Sequence, residues 1–236
     1  MTHRFSPIEQ RTLRFNVVES IRAAILDGSL AAGSQLVEAR IAEEMGISRA
    51  PVREALRQLE EEGLVVSIPY KGTFVNRLGP DQIAEIASLR MVLEPFAIQR
   101  ALSRLRDGGV ERLELAVQRL IERAQQGDAA GCVEAHLAVH RVFYELAEHK
   151  LLLEIWRGLE GQLRLYLAMD HLLFGSLEEI ARAHLELLDV VRRGDADEIM
   201  RTLVAHVQGP AEALVGRLGR PDDGKTPPQA VGDARA

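Results

Sequence analysis

The sequence predicts a mostly α-helical protein: an N-terminal winged helix-turn-helix followed by an all-α antiparallel bundle of six to seven helices. Three observations predict it. Of 236 residues, 47% are hydrophobic but only 4% aromatic, which favours helices packed through aliphatic side chains over a β-sandwich. Apolar residues recur at three- and four-residue steps along most of the chain. The one strand signal is the run LVVSIPYKGTFVNRL at residues 64–78.

Taken in order, Val17, Val18, Ile21, Ala24 and Ile25 mark an amphipathic helix from Arg11 to Leu26, ended by Asp27-Gly28. A second, short helix is expected from Leu36 to Met45, closed by Gly46. Ser48 can cap a third with its hydroxyl, and Pro51 falls in the first turn, where a missing N–H breaks no intrahelical bond. That helix runs to about Glu62 and stops at Gly63. The β-branched runs flanking Pro69-Tyr70-Lys71-Gly72 form a hairpin. After a hinge at Arg77-Leu78-Gly79-Pro80, helices are expected at roughly 81–105, 110–126, 128–148, 150–171, 176–193 and 195–218, with breaks at Asp107-Gly108-Gly109, Gly127-Asp128, Phe174-Gly175-Ser176 and Gly194-Asp195. The expected division is a DNA-binding unit at 1–78, an all-α unit at 79–218, and a Pro/Gly/Asp-rich disordered tail at 219–236.

Net charge is -6, but residues 1–78 carry ten basic and ten acidic side chains while the rest carries 19 and 25. The acidity lies in the second unit, so the first can present a basic face. Cys132 is the single cysteine, which excludes an internal disulfide and a cysteine-based zinc cluster. The start MTHRFSPIEQR has no signal-peptide core, and no apolar run approaches bilayer length. The expected location is cytoplasmic.

Helix, helix, turn, helix and hairpin form the plan of a winged helix-turn-helix, whose second paired helix enters the DNA major groove. Ser48, Arg49 and Arg53 stand at the start of that helix, where free amides favour phosphate and arginine forks reach guanine edges. Lys71 and Gly72 sit at the wing tip, placed to approach the minor groove or a phosphate. The competing reading is that Arg49, Arg53 and Arg57 form a solvated helix face with no partner.

Seven histidines are present. His3 is in the polar leader, His149 at a helix junction and His171 near a helix end. His136 and His140, four residues apart, share an apolar helix face with Val133, Phe143 and Ala147. His184 stands in the stripe Ile180, Leu187, Leu188, Val191, and His206 in the stripe Ile199, Leu203, Pro210. All four imidazoles are expected inside the bundle. A buried imidazole costs about 1–3 kcal/mol unless its nitrogens find partners. Each of the four is either satisfied separately in the core or serves with the others on one metal ion.

The segment ILDGSLAAGSQLVEARIAEEMGISRAPVREALRQLEEEGLVVSIPYKGTFV resembles the DNA-binding domain of the GntR family of bacterial transcription regulators. The resemblance implies DNA contacts from Ser48, Arg49, Arg53 and Gly72, and binding to palindromic operators as a homodimer. Ala39 stands where the family often has Arg. Residues 81–215 resemble the FCD-type effector domain of the FadR branch. Its metal pattern, Asp-x-x-Phe-His and two later histidines, is matched at His140, His184 and His206, while His136 replaces the Asp and Val139 the Phe. His149 stands where the family has Asn, which places it in the effector-binding set. SLRMVLEPFAIQRA at 88–101 resembles the family's R-x-x-L-E segment, in which the residue matching Arg90 helps hold an effector carboxylate; the other reading is an ordinary pair with Glu94 one turn on. An all-imidazole donor set favours zinc, nickel or copper over manganese or magnesium, and zinc or nickel is the expected cofactor.

The expected function is that of a ligand-responsive bacterial transcription regulator, with repressor as the expected class and the direction of regulation not named by the sequence, that binds a double-stranded DNA operator and senses a small organic acid. It is not expected to be an enzyme. The alternatives are a metalloenzyme built on the bundle and a direct metal sensor.

Overall fold

The computed structural model describes residues 10–174 and 176–218. The expected tail at 219–236 lies outside them. The chain begins with α1 (Gln10–Leu26), a short strand β1 (Gln35–Leu36), α2 (Glu38–Glu44), α3 (Arg49–Glu61), β2 (Val65–Ile68) and β3 (Gly72–Val75). Helices α1, α2 and α3 pack around Val17, Ile21, Val52, Leu56 and Leu59, all buried. In α3 the apolar residues fall on one face and the arginines on the other, the division a surface helix needs.

The predicted hairpin is β2 and β3, paired antiparallel from Val65↔Val75 to Ile68↔Gly72. One expectation is corrected here. Leu36 does not begin a helix; it pairs with Thr73 as part of β1, which makes a three-stranded sheet in the order β1-β3-β2. Two residues are too few for a period-two pattern, so only the backbone pairing defines this strand. The wing turn places Tyr70 at φ +63 and Gly72 at φ +107, left-handed conformations that suit the glycine.

The bundle consists of α4 (Pro80–Arg104), α5 (Val110–Gln125), α6 (Ala129–Leu146), α7 (Lys150–Phe174), α8 (Leu177–Arg193) and α9 (Ala196–Leu218). All six predicted helices are present. Between α4 and α5 a π-type turn, Leu105–Gly109, departs from helical geometry at Asp107 and Gly108, the predicted break. Asp128 and Ser176 cap their helices by accepting from Gly131 N and Glu179 N. Helix α6 is buried along nearly its whole length, with α4, α5 and α7 packed on it and α9 closing against α4 and α8.

The two parts touch directly. Gly161 of α7 lies against the end of α3, and a Cβ at that position would overlap the carbonyl oxygen of Glu62. The carboxylate of Glu62 accepts from both Arg22 of α1, at 2.6 and 2.7 Å, and Gln58. No helix among the described residues is long and apolar enough to cross a membrane.

Candidate functional site

Helix α6 carries His136 and His140 one turn apart on the face that meets α8 and α9. His184 of α8 and His206 of α9 complete a compact group: ring centroids lie 4.3 Å apart for His136–His184, 4.4 Å for His184–His206 and 5.4 Å for His140–His206. One ligand-type atom from each of the four lies within 4.8 Å of the others. His136, His140 and His184 are buried and His206 is half-buried. The four predicted histidines therefore do converge.

The ring nitrogens are used unequally. His140 Nδ1 is 2.8 Å from Glu94 Oε2, His184 Nδ1 is 2.8 Å from the Ile180 carbonyl, and His136 Nδ1 is 3.2 Å from His171 Nε2. Glu94 and the Ile180 carbonyl can only accept, so His140 and His184 carry their proton on Nδ1 and present a lone pair at Nε2. Nε2 of His136 and of His184 is buried without a hydrogen-bond partner. Such atoms are costly in a core, and outward-anchored Nδ1 atoms with inward Nε2 atoms are the arrangement of imidazoles around a divalent ion. The residues present fit the metal that the FCD resemblance implies.

Electrostatics point the same way. Burial, reinforced by the neighbouring imidazoles, holds His136 and His206 well below the usual histidine range and His184 at about 3. The imidazoles of His136, His184 and His206 are thus neutral and available at neutral pH. Burial alone would raise Glu94, but the Arg90 guanidinium and His140 hold it at about 2. Arg90 donates through Nε to Glu94 Oε1 at 2.6 Å, its other end lies 3.5 Å from His140 Nε2, and its guanidinium sits over the Tyr166 ring. This pair is buried at 4% and 0% exposure, so it is no surface i,i+4 contact; α4 presents it to α6 and α7.

Two residues that sequence reasoning did not place here also belong to the site. His171 stands in the last turn of α7, near a helix end as expected, and is buried there. Asp170 beside it is pushed up by burial to about 6. Around Arg90 and His140, the Tyr144 hydroxyl, the Tyr166 hydroxyl and Trp156 Nε1 are buried without partners, with Tyr144 stacked on Trp156 at 4.4 Å. Each is a polar group available to a bound molecule. His149 takes a different position, half-buried at the α6–α7 turn, edge-on to Phe96, with Nδ1 accepting from Leu152 N.

At the other end of the molecule, Ser48 occupies the N-cap position of α3 and is exposed together with Arg49. The expected hydroxyl cap is absent: Ser48 sits at the N-cap with extended backbone but makes no side-chain bond to the first turn. Arg53 is exposed and held by Glu38 at the start of α2, with contacts of 2.9 and 3.1 Å. Lys71 and Gly72 are exposed on the wing. Gln35 of β1 donates to the Lys71 carbonyl at 2.9 Å and fills the space beside Gly72, a buttress that only the unpredicted strand could supply.

Comparison with known proteins agrees with both halves. Residues 13–75 match the family described as bacterial regulatory proteins, gntR family, and residues 85–209 match the FCD domain. The HTH-type transcriptional repressor RspR of Escherichia coli (strain K12) is 27% identical over 213 residues, covering 88% of this chain and 89% of that protein. A Paenarthrobacter nicotinovorans protein named "Probable D-xylose utilization operon transcriptional repressor" is 29% identical over 200 residues, 85% of this chain and 88% of that one. The E. coli McbR/YncC structure has the same fold, with a TM-score of 0.67 at 22% identity over 87% of this chain and 98% of that chain. The matched family and the two relatives found by sequence are transcriptional regulators and not enzymes. The chain belongs to the GntR family of bacterial transcription regulators and carries an FCD domain.

Proposed function

We propose that this regulator binds a palindromic operator as a homodimer in the cytoplasm, and that the bundle holds one divalent ion, zinc or nickel, on His136, His140, His184 and His206. The working division is a DNA-binding domain at 1–78 and an effector domain at 79–218. Ser48, Arg49, Arg53, Lys71 and Gly72 form the DNA-facing surface. A single winged helix makes too few base contacts to be selective in a genome, so two copies on related half-sites are needed. Arg90 offers its outer guanidinium end to the carboxylate of a small organic acid, and His149 flanks the effector region. The names of the relatives favour repression.

The single observation that carries the metal is the cluster of four imidazoles whose ligand-type atoms lie within 4.8 Å of one another, three of them held through Nδ1 and two with a buried, unpartnered Nε2. The ion would supply a fixed positive charge that neutralises the facing lone pairs and ties α6, α8 and α9 together. Elemental analysis of the purified chain tests it: about one ion per chain is expected, lost on replacing His140, His184 or His206 with Ala. Retention of a full complement by all three variants would sink the centre. An operator shift that responds to an organic acid, and that Arg90→Met abolishes, tests the effector site.

A second reading has its own support. Four imidazoles complete a tetrahedral zinc shell and leave no open position for an effector oxygen, which favours a regulator that responds to the ion itself. Operator affinity that changes with zinc alone, with no organic ligand present, separates this reading from the first.

A further inference from the structure

Three of the four clustered imidazoles are held from behind through Nδ1, but the three holders differ in kind. Glu94 is an ionised carboxylate and the Ile180 carbonyl a neutral oxygen; neither can do anything but accept. The holder of His136 is another imidazole, His171, which can accept or donate. The direction of this one bond decides what His136 is. If His171 Nε2 donated, the proton of His136 would sit on Nε2 and point an N–H into the cluster, leaving it no lone pair for an ion. If His171 Nε2 accepts, His136 Nε2 carries its lone pair inward like the others. His171 then keeps its own proton on Nδ1, the nitrogen found buried without a partner.

We propose, building on the metal centre inferred above, that His171 is a positioning residue for that centre: its Nε2 accepts from His136 Nδ1–H and so fixes the tautomer and ring orientation in which His136 can be a ligand. It does for His136 what Glu94 does for His140. The geometry holds the two rings against each other at 3.2 Å between His136 Nδ1 and His171 Nε2. The two rings are stacked 15° from parallel at 5.5 Å, and His171 is 6% exposed on α7, a helix that contributes no ligand of its own. Burying a fifth imidazole with one nitrogen unsatisfied is unfavourable, and the bond to His136 is what it gains. Because this holder is uncharged, it raises the basicity of His136 less than the Glu94 carboxylate raises that of His140.

Zinc affinity of the full-length chain, measured by competition with a chromophoric chelator at neutral pH, tests the role. In His171→Gln the amide oxygen can take the place of Nε2, whereas in His171→Asn the amide reaches only the position of Nδ1. His171→Asn is expected to weaken zinc binding about 10–100-fold and His171→Gln to restore most of that loss. In a His136→Ala background, His171→Asn should cause no further weakening, because its effect passes through His136. His171→Phe, which keeps a ring and offers no acceptor, gives the same comparison if the Asn variant does not fold. Wild-type affinity in the Asn and Phe variants, equal losses for Gln and Asn, or an undiminished loss in the His136→Ala background would each overturn the proposal. Absence of zinc binding by the wild type would overturn the metal centre and this role together, and the wild-type measurement alone reveals that outcome.

Discussion

Two arginine–glutamate pairs, one at each end of the molecule, use the same chemistry for opposite purposes. Arg53 and Glu38 meet at 2.9 Å with side chains 69% and 34% exposed; Arg90 and Glu94 meet at 2.6 Å with 4% and 0%. In the first, water competes for both partners and salt screens the attraction, so the pair is easily exchanged for another anion. In the second, neither charge can return to water without unfolding, so each needs the other in place. The exposed pair leaves an arginine that can exchange Glu38 for another anion. The buried pair fixes a carboxylate where it can orient His140. A short distance between charges therefore says little about role until burial is known.

The strongest way to break this comparison is to remove the carboxylate from each pair. Glu94→Leu leaves Arg90 buried and uncompensated and should destabilise the fold by about 3–5 kcal/mol, whereas Glu38→Leu should barely alter the chemical-denaturation midpoint. Similar midpoint shifts for the two variants would show that burial does not separate the pairs.

Acid sharpens the contrast. Burial holds His171 at about 4 and His184 at about 3 in the folded chain, against roughly 6.5 unfolded. Both values are depressed, so the unfolded state takes up protons first. Stability is then full above pH about 6.5 and falls by about 1.4 kcal/mol per pH unit for each histidine until its folded value is reached. Asp170 works in the opposite sense: raised to about 6, it adds stability that is full below pH about 3.9 and lost as pH rises through 6, offsetting part of the histidine effect. Thermal scans of chelator-treated protein between pH 7 and pH 5 should show a falling midpoint. A flat profile would mean that the histidines are not held neutral.

How much of this was legible in the sequence follows the same division. Helical periodicity gives the bundle and its breaks, and the i,i+4 spacing of His136 and His140 on an apolar face gives the centre, because those signals are local. The contacts that define roles are not local. Glu94 and His140 are 46 residues apart and His136 and His171 are 35 apart, and neither spacing carries a pattern. Burial of His171 comes from contacts across the bundle, such as that with His136, which no local pattern carries, and strand ends and helix ends are where propensity decides least. The strand β1 exists only because β3 offers it an unpaired edge.

On the exposed side, Arg49→Ala should reduce discrimination between a selected operator and a one-base variant by about 1–3 kcal/mol and leave the melting curve where it was. Binding as selective as that of the wild type, measured by fluorescence anisotropy, would remove Arg49 from the readout. The smallest effect is expected from Glu38→Gln. Releasing Arg53 and removing one negative charge near the DNA-facing surface should strengthen binding a few-fold at low salt, with the gain fading as salt is raised. Weaker binding would mean that Glu38 positions Arg53 on DNA instead of occupying it beforehand.

The contact between Gly161 and Glu62 gives the two halves a shared mechanical origin. Here backbone meets backbone with no side chain between them to bend or change rotamer, so the joint has almost no slack. The helix on one side of it also carries Tyr166, Asp170 and His171, five to ten residues farther on, about 7–15 Å along a rigid rod. A small tilt of α7 would press directly on the end of α3, the helix that carries Arg49 and Arg53. The absence of a single methyl group at Gly161 thus sets how closely α7 is seated against the end of α3.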